Sequence, residues 1–229
     1  MGLVPSDAIS VSDIQAMSTW KVAYDGGTSG TSGGSSGTMT VVDEPSLSGQ
    51  AREFATTYTN SGGERYYASF GQDTVSTHFL YDAWVYFDGS AGKVANIEMD
   101  MNQVMANGQT VIYGFQCDGY SKTWDYTTNA GTPQNYVDQW LKSSAPCDLQ
   151  SWSRDTWHHV QIAYSRDDAG NVTYQSVWLD DVEQDINATV PSSFVLGWGP
   201  TLLTNLQVDG LGASGSSTVW LDNLTIYRW

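Results

Sequence analysis

Basic residues are what this chain has least of. Nine Lys and Arg stand against twenty-five Asp and Glu, a formal net charge of -16 over 229 residues. A nucleic-acid binder must present a basic face to phosphates, so that class is excluded. The same balance argues against attachment to an anionic membrane surface. No apolar run approaches the ~20 residues of a membrane span, so membrane insertion is not expected either. Cysteine is almost absent as well. Cys117 and Cys147 are the only two, and their spacing fits neither a CxxC redox motif nor a zinc framework. A single disulfide tying a long loop to a strand end is the expected arrangement. The first ten residues are polar and lack the apolar core of a signal peptide. The compartment is therefore read from composition: little Lys with much Thr, Ser, Gly, Trp and Tyr points to a secreted, extracellular protein. Helical periodicity is nearly absent too.

What is present is aromatic and alternating. Ten Trp and thirteen Tyr argue against disorder, and the length suits one large domain over residues 1–229. Residues 1–18 read as an N-terminal extension. Strand character appears over Trp20–Tyr24, Thr38–Val42, Ala51–Thr59, Arg65–Phe70, Thr77–Asp88, Lys93–Met105 and Gln109–Asp118. It resumes over Thr156–Arg166, Val172–Asp180, Ile186–Val190, Leu203–Val208 and Ser217–Trp229. Asn107-Gly108 is a strong hairpin signal. The Gly/Ser/Thr-rich stretch 26–38 reads as a mobile hairpin loop, and Asn135–Lys142, inside the irregular stretch 119–153, as a short helix. Many short strands with turns between them predict an all-β, two-sheet antiparallel jelly-roll sandwich.

Alternation also assigns faces. Ile97, Met99 and Met101 share one side of a strand; Glu98, Asp100 and Asn102 share the other. Asp82, Trp84, Tyr86 and Asp88 likewise oppose Tyr81, Ala83, Val85 and Phe87, and Trp178 opposes Val177 and Leu179. Large aromatics mixed with acids and amides suit a sugar-binding groove: rings stack on pyranose C–H faces while carboxylates and amides bind hydroxyls. The expected glycan contacts are Trp84, Tyr86, Asn102, Gln116, Trp124, Trp140, His159 and Trp178. Glu98 and Asp100 lie among them, and Trp124, Tyr126 and Trp140 form a rim. The competing reading places Trp84 and Trp178 in the core, since a one-residue register shift reverses the faces.

Two segments carry a resemblance. Trp157-His158-His159-Val160-Gln161-Ile162-Ala163-Tyr164, followed by Val177-Trp178-Leu179-Asp180-Asp181-Val182, resembles the hairpin of laminin-G-like and concanavalin A-like jelly rolls. Val219-Trp220-Leu221-Asp222-Asn223-Leu224-Thr225-Ile226-Tyr227 is similar to the closing strand of the same superfamily, which includes glycoside hydrolase family sixteen. The resemblance implies a carbohydrate-facing concave sheet. For retaining β-glucanases of this clan it implies Glu-x-Asp-x-Glu or Glu-x-Asp-x-x-Glu on a concave strand. Here Glu98-Met99-Asp100 matches, but the last position is Asn102 or Gln103. An amide cannot serve as the acid/base, unless Asp82, Asp118 or Asp180 replaces it. The resemblance also implies a structural calcium at Asp222 with Asp25 or Asp43, since oxygen donors suit that ion.

Three functions follow, and the first is favoured. It is a secreted, monomeric domain that binds a polysaccharide. The second is a β-glycan hydrolase with Glu98 as nucleophile or base. The third is a laminin-G-like adhesion module whose groove its own loops fill.

Overall fold

Period-two alternation becomes strand pairing almost throughout. The computed structural model describes residues 4–25, 33–89, 94–212 and 214–229, without the side chain of Asp25. In chain order the strands begin with β1 (Ile9–Val11), β2 (Lys21–Asp25), β3 (Ser35–Val42), β4 (Ala51–Tyr58), β5 (Gly63–Gly71), β6 (His78–Phe87), β7 (Val94–Val104), β8 (Thr110–Tyr113) and β9 (Phe115–Asp118). They continue with β10 (Thr123–Asn129), β11 (Asp138–Pro146), β12 (Thr156–Arg166), β13 (Asn171–Leu179), β14 (Val182–Pro191), β15 (Ser193–Phe194), β16 (Leu202–Gly210) and β17 (Gly215–Arg228).

These strands form two antiparallel sheets packed as a sandwich. The eight-stranded sheet runs β14-β13-β12-β6-β17-β4-β3, with β1 paired to β17. The nine-stranded sheet runs β11-β10-β9-β7-β16-β5-β2, with β8 beside β7 and β15 beside β8. Consecutive strands β6 and β7 lie in opposite sheets, and this crossing decides where the predicted site residues go.

The core between the sheets is built from the apolar half of each alternation. Tyr81, Ala83, Val85 and Phe87 of β6 join Ile97, Met99 and Met101 of β7 in one buried cluster. A polar tie crosses it. The Arg166 guanidinium on β12 donates to Gln103 Oε1 on β7 at 2.6 Å, and the Tyr113 hydroxyl donates to the same oxygen at 3.1 Å. Gln103 therefore faces the interior and leaves the predicted catalytic row.

Turn chemistry matches the hairpins. Gly108 has φ +80 beside the β7–β8 turn, and Asp180 and Asp181 have φ 51 and 65 between β13 and β14. Two successive left-handed residues give the hairpin turn whose twist suits its strands.

Several expectations change. Residues 35–38 of the proposed Gly/Ser/Thr loop belong to β3, which pairs with β4 from Ser35 onward; residues 26–32 lie outside the described part. The expected helix at Asn135–Lys142 is instead strand β11 from Asp138, because its backbone is ordered by pairing with β10. The N-terminal extension is bound into the fold: β1 pairs with Ile226–Arg228, and the Trp20 indole donates to the Ile14 carbonyl at 2.8 Å.

Cys117 and Cys147 form the expected disulfide, with Cα atoms 5.4 Å apart and 30 residues of separation. Both sulfurs lie in the core cluster. Closing a loop of this length restricts the unfolded chain by about 3 kcal/mol. Reduction is expected to lower the melting temperature by roughly 6–12 °C. Melts with and without reductant test this; coincident curves would show that the bond contributes nothing.

Candidate functional site

The outer face of the nine-stranded sheet carries a cleft of about 640 Å³. Its floor is the polar half of two neighbouring central strands. Asn96, Glu98, Asp100 and Asn102 alternate along β7, and Leu203, Asn205, Gln207 and Asp209 alternate along β16; all eight line the cleft. Register sets them side by side: Asn205 opposes Asp100 and Gln207 opposes Glu98. The row extends outward through Arg65 and Tyr67 of β5, which oppose Gln207 and Asn205. Across β7, Gln116 opposes Glu98. Tyr67, Tyr120, Trp140 and Trp198 supply aromatic walls. Trp198 stands 41% exposed.

The floor groups hold one another. Gln207 Nε2 donates to Glu98 Oε1 at 2.8 Å and lies 3.2 and 3.3 Å from the two Asp209 oxygens. Asn205 Nδ2 donates to Asp100 Oδ2 at 3.1 Å, and the Phe115 N–H donates to Asp100 Oδ1 at 2.9 Å. Gly63, opposite Asp209 in the ladder, allows that carboxylate its place, since a Cβ there would meet Asp209 Oδ1 at 1.7 Å. Asn102 differs from its neighbours. It is only 5% exposed, lines the cleft, and its side-chain amide has no hydrogen-bond partner among the described residues. Its amide reaches the cleft and is open to hydrogen bonds from whatever fills it.

Electrostatics set Asp100 apart. Burial raises its pKa to about 7, against the opposing pull of the Phe115 and Asn205 bonds and with a further push from the Asp138 charge. Beyond it, burial raises Asp125 to about 6, with the nearby Asp118 charge adding to the effect and bonds from Thr123 and Ser121 resisting it.

The sequence assigned a single groove to residues that the sheets separate. Glu98, Asp100, Asn102, Gln116 and Trp140 do line the cleft. Trp84, Tyr86, His159 and Trp178 belong to β6, β12 and β13 of the eight-stranded sheet, on its outer face, across the full thickness of the sandwich. Trp84 stacks on His159 there, with ring centroids 4.6 Å apart and 6° between planes. His159 Nε2 meets Asp82 Oδ1 at 2.8 Å, and this bond holds the imidazole pKa above its usual value despite partial burial. Tyr86 packs against Trp157 and edge-on to Trp220, both at 5.3 Å. Asp82 is committed to His159 and Gln161, and Asp180 to the two histidines at 158 and 159. Neither supplies an acid to the cleft.

Trp124 is not a rim residue. It is fully buried and stacks on Phe115, because β10 turns it toward the opposite sheet. Tyr126 follows it and packs on buried Tyr174.

At the position of the calcium expectation, Asp222 is already bonded within the protein. Asp222 Oδ2 accepts from the Ser46 hydroxyl and the N–H groups of Leu47 and Ser48. Its Oδ1 accepts from Gln15, the Ser48 hydroxyl and the Asn223 N–H. Six protein donors thus meet this carboxylate, and a cation would have to displace some of them. Asp25 ends β2, in the other sheet, and its side chain lies outside the described part. Among the described residues, no three His, Cys, Asp or Glu side chains gather in a metal-binding arrangement. Nor is any helix there long and apolar enough to cross a membrane.

Arg65, Tyr67, Trp198, Asn205, Gln207 and Asp209 were not foreseen. For β16 the signal was present: Asn205, Gln207 and Asp209 alternate against Thr204, Leu206 and Val208. Trp198 sits between Gly197 and Gly199, outside any strand, where no period marks it.

No family model and no curated protein matches the sequence. Solved structures do match the fold. A cellulose-induced protein, Cip1, superposes with a TM-score of 0.53 at 14% identity, over 94% of this chain and 96% of that one. A carbohydrate-binding module of the β-sandwich superfamily gives 0.49 at 10% identity, over 93% of this chain and 58% of that one. Arcelin-5, a lectin-like defence protein from Phaseolus vulgaris, gives 0.47 at 13% identity, over 92% and 99%. At these identities the likeness shows a β-sandwich fold and nothing of the site.

Proposed function

We infer that this chain is an extracellular glycan-binding domain that holds a polysaccharide segment in the cleft of the nine-stranded sheet. Asn102 carries the reading: a buried amide without a protein partner, flanked by carboxylates and amides and walled by Trp140, Trp198, Tyr67 and Tyr120. Sugar hydroxyls would complete the open hydrogen bonds, and a pyranose face would cover an indole. The buried disulfide agrees with an oxidising, extracellular compartment. The open cleft weighs against the adhesion-module reading, which requires loops to fill it.

Trp140→Ala and Trp198→Ala are each expected to weaken glycan binding by about ten- to a hundredfold, as for an aromatic anchor in a binding patch. Trp178→Ala, on the far sheet, serves as the comparison. Calorimetry on glycans selected by array screening gives the answer. Loss confined to Trp178→Ala would move the site to the eight-stranded sheet.

One observation supports hydrolysis as a second reading. Glu98 and Asp209 share the single Gln207 nitrogen, so their oxygens lie no farther apart than those two bonds laid end to end. That falls near the separation used by paired glycosidase carboxylates, about 5–9.5 Å. Release of reducing sugar by the wild type, abolished in Glu98→Gln, would replace the binding reading with this one.

A further inference from the structure

The cleft is unbalanced in two independent ways. Its charges are the first. Among the described residues, Glu98, Asp100, Asp118, Asp138 and Asp209 line it, against one cation, Arg65, and no Lys or His. A concave surface lined by one sign concentrates its field and attracts the opposite sign.

Hydrogen-bonding capacity is the second. Three of the floor amides spend N–H groups on the acids, whereas Asn102 and Gln116 keep theirs for an occupant. Asn205 donates to Asp100, Gln207 donates to Glu98 and faces Asp209, and the Asn96 nitrogen donates to Asp118 at 2.9 Å. The adjacent carboxylates fix these orientations, since a flipped amide would set oxygen against oxygen. Gln207 and Asn205 are 5% and 3% exposed. Among the described residues no group donates to Gln207 Oε1 or Asn205 Oδ1. At Gln207 and Asn205 the floor therefore presents oxygens beside the carboxylates, so acceptors cluster along the acid row.

A neutral glycan supplies hydroxyls that both donate and accept, and needs no such excess. A uronate or sulfated chain brings more acceptors and more negative charge. An alkylammonium group supplies three donors and a positive charge, with no acceptor.

We propose that the cleft takes a glycan carrying free amino groups: a hexosamine polymer in its ammonium form. The proposal rests on the glycan-binding reading and names the substrate class for that site. Ammonium groups lie over the acid row, with the sugar faces against Trp140 and Trp198. Acetylation removes the charge and two of the three donors, so the acetylated polymer binds less well. The raised proton affinity of Asp100 agrees with this order, because a bound cation favours its ionised form and expels the proton.

The test is calorimetry at about pH 6 with length-matched oligomers of glucosamine, N-acetylglucosamine, glucose and galacturonate. The glucosamine oligomer is expected to bind at least about tenfold more tightly than the acetylated and neutral ones, with galacturonate undetected. Its affinity should fall with added salt, and binding should release protons, read from buffers of different ionisation enthalpy. Asp138→Asn and Asp209→Asn should reduce affinity for the glucosamine oligomer at least about fivefold more than for the acetylated one. Both remove a charge while keeping shape, so altered folding is checked by their melts.

The failures are distinguishable. Equal or tighter binding of a neutral oligomer, lost in Trp140→Ala and Trp198→Ala, overturns the amine and leaves the glycan site standing. Binding of the glucosamine oligomer unchanged in both tryptophan variants means general attraction to an acidic protein, and overturns both.

Discussion

Asp222→Ala is expected to destabilise the protein by about 4 kcal/mol, because it strands several buried donors at once. Asp222 is fully buried at the irregularity where β17 shifts register against β6, between Asp222 and Thr225. Asn223 there has φ 50. A bulge of this kind re-aims a side chain, and here it turns the carboxylate toward the 46–48 segment and Gln15. Its bonds join the N-terminal segment, the loop before β4 and the closing strand. Burial alone would raise its pKa, but bonds from Ser48, Ser46 and Leu47 outweigh it and hold the carboxyl below its usual range. A folded value below the unfolded one gives stability that is present above about pH 4 and lost as pH falls through the folded value. Denaturant unfolding of wild type and variant at neutral pH and in acid measures both effects. A neutral-pH loss under about 1 kcal/mol would show that these bonds contribute little, and a comparable loss on adding EDTA to the wild type would assign calcium to this carboxylate.

The sandwich was legible because alternation is a local property. Each of β6, β7, β12 and β17 shows its buried half in its own residues, and turns such as Asn107-Gly108 mark the hairpins. Alternation states which residues point away from the core; it does not state which sheet a strand joins. Glu98 and Trp84 both face outward, as expected. Yet β7 pairs with β16, β8 and β9, whereas β6 pairs with β12 and β17. The partners that decide the sheet, β16 for β7 and β12 and β17 for β6, are distant in sequence, so two outer faces merged into one imagined groove.

Smaller errors have the same origin. Gln109–Asp118 looks like one strand but divides at Gly114, where a Cβ would meet the Thr127 side chain at 2.4 Å. That contact comes from Thr127 of β10, with a sequence separation of 13. Trp124 seemed a loop aromatic because the turn signals around it hid a strand. Half of the site was nonetheless readable, since Glu98, Asp100 and Asn102 lie on one strand. The other half, on β5, β16 and the Trp198 segment, required the sheet order.

Asp100→Asn is expected to stabilise the protein above pH 7, by up to about 4 kcal/mol. The sign follows from its titration. In the folded state the carboxyl titrates at about 7, well above an unfolded Asp near 3.9. The folded protein thus holds a proton that the unfolded chain releases. The contribution of this one group is greatest below about pH 4, declines as pH rises from about 4 to 7, and stays reduced beyond. An asparagine oxygen still accepts the Phe115 N–H and no buried charge remains, although its nitrogen replaces the oxygen that accepts from Asn205, a lost bond that offsets about 1 kcal/mol of the gain. The variant should lose that decline, match the wild type near pH 4, and exceed it near pH 8. Paired denaturant titrations at those two pH values decide it; a variant weaker than wild type at pH 8 would show that the ionised carboxylate contributes to the fold. Natural sequences retain costly groups of this kind where function uses them. An aspartate kept on the cleft floor at such a cost is therefore best explained by what it binds, so the same substitution should weaken the glycan complex while it strengthens the empty protein.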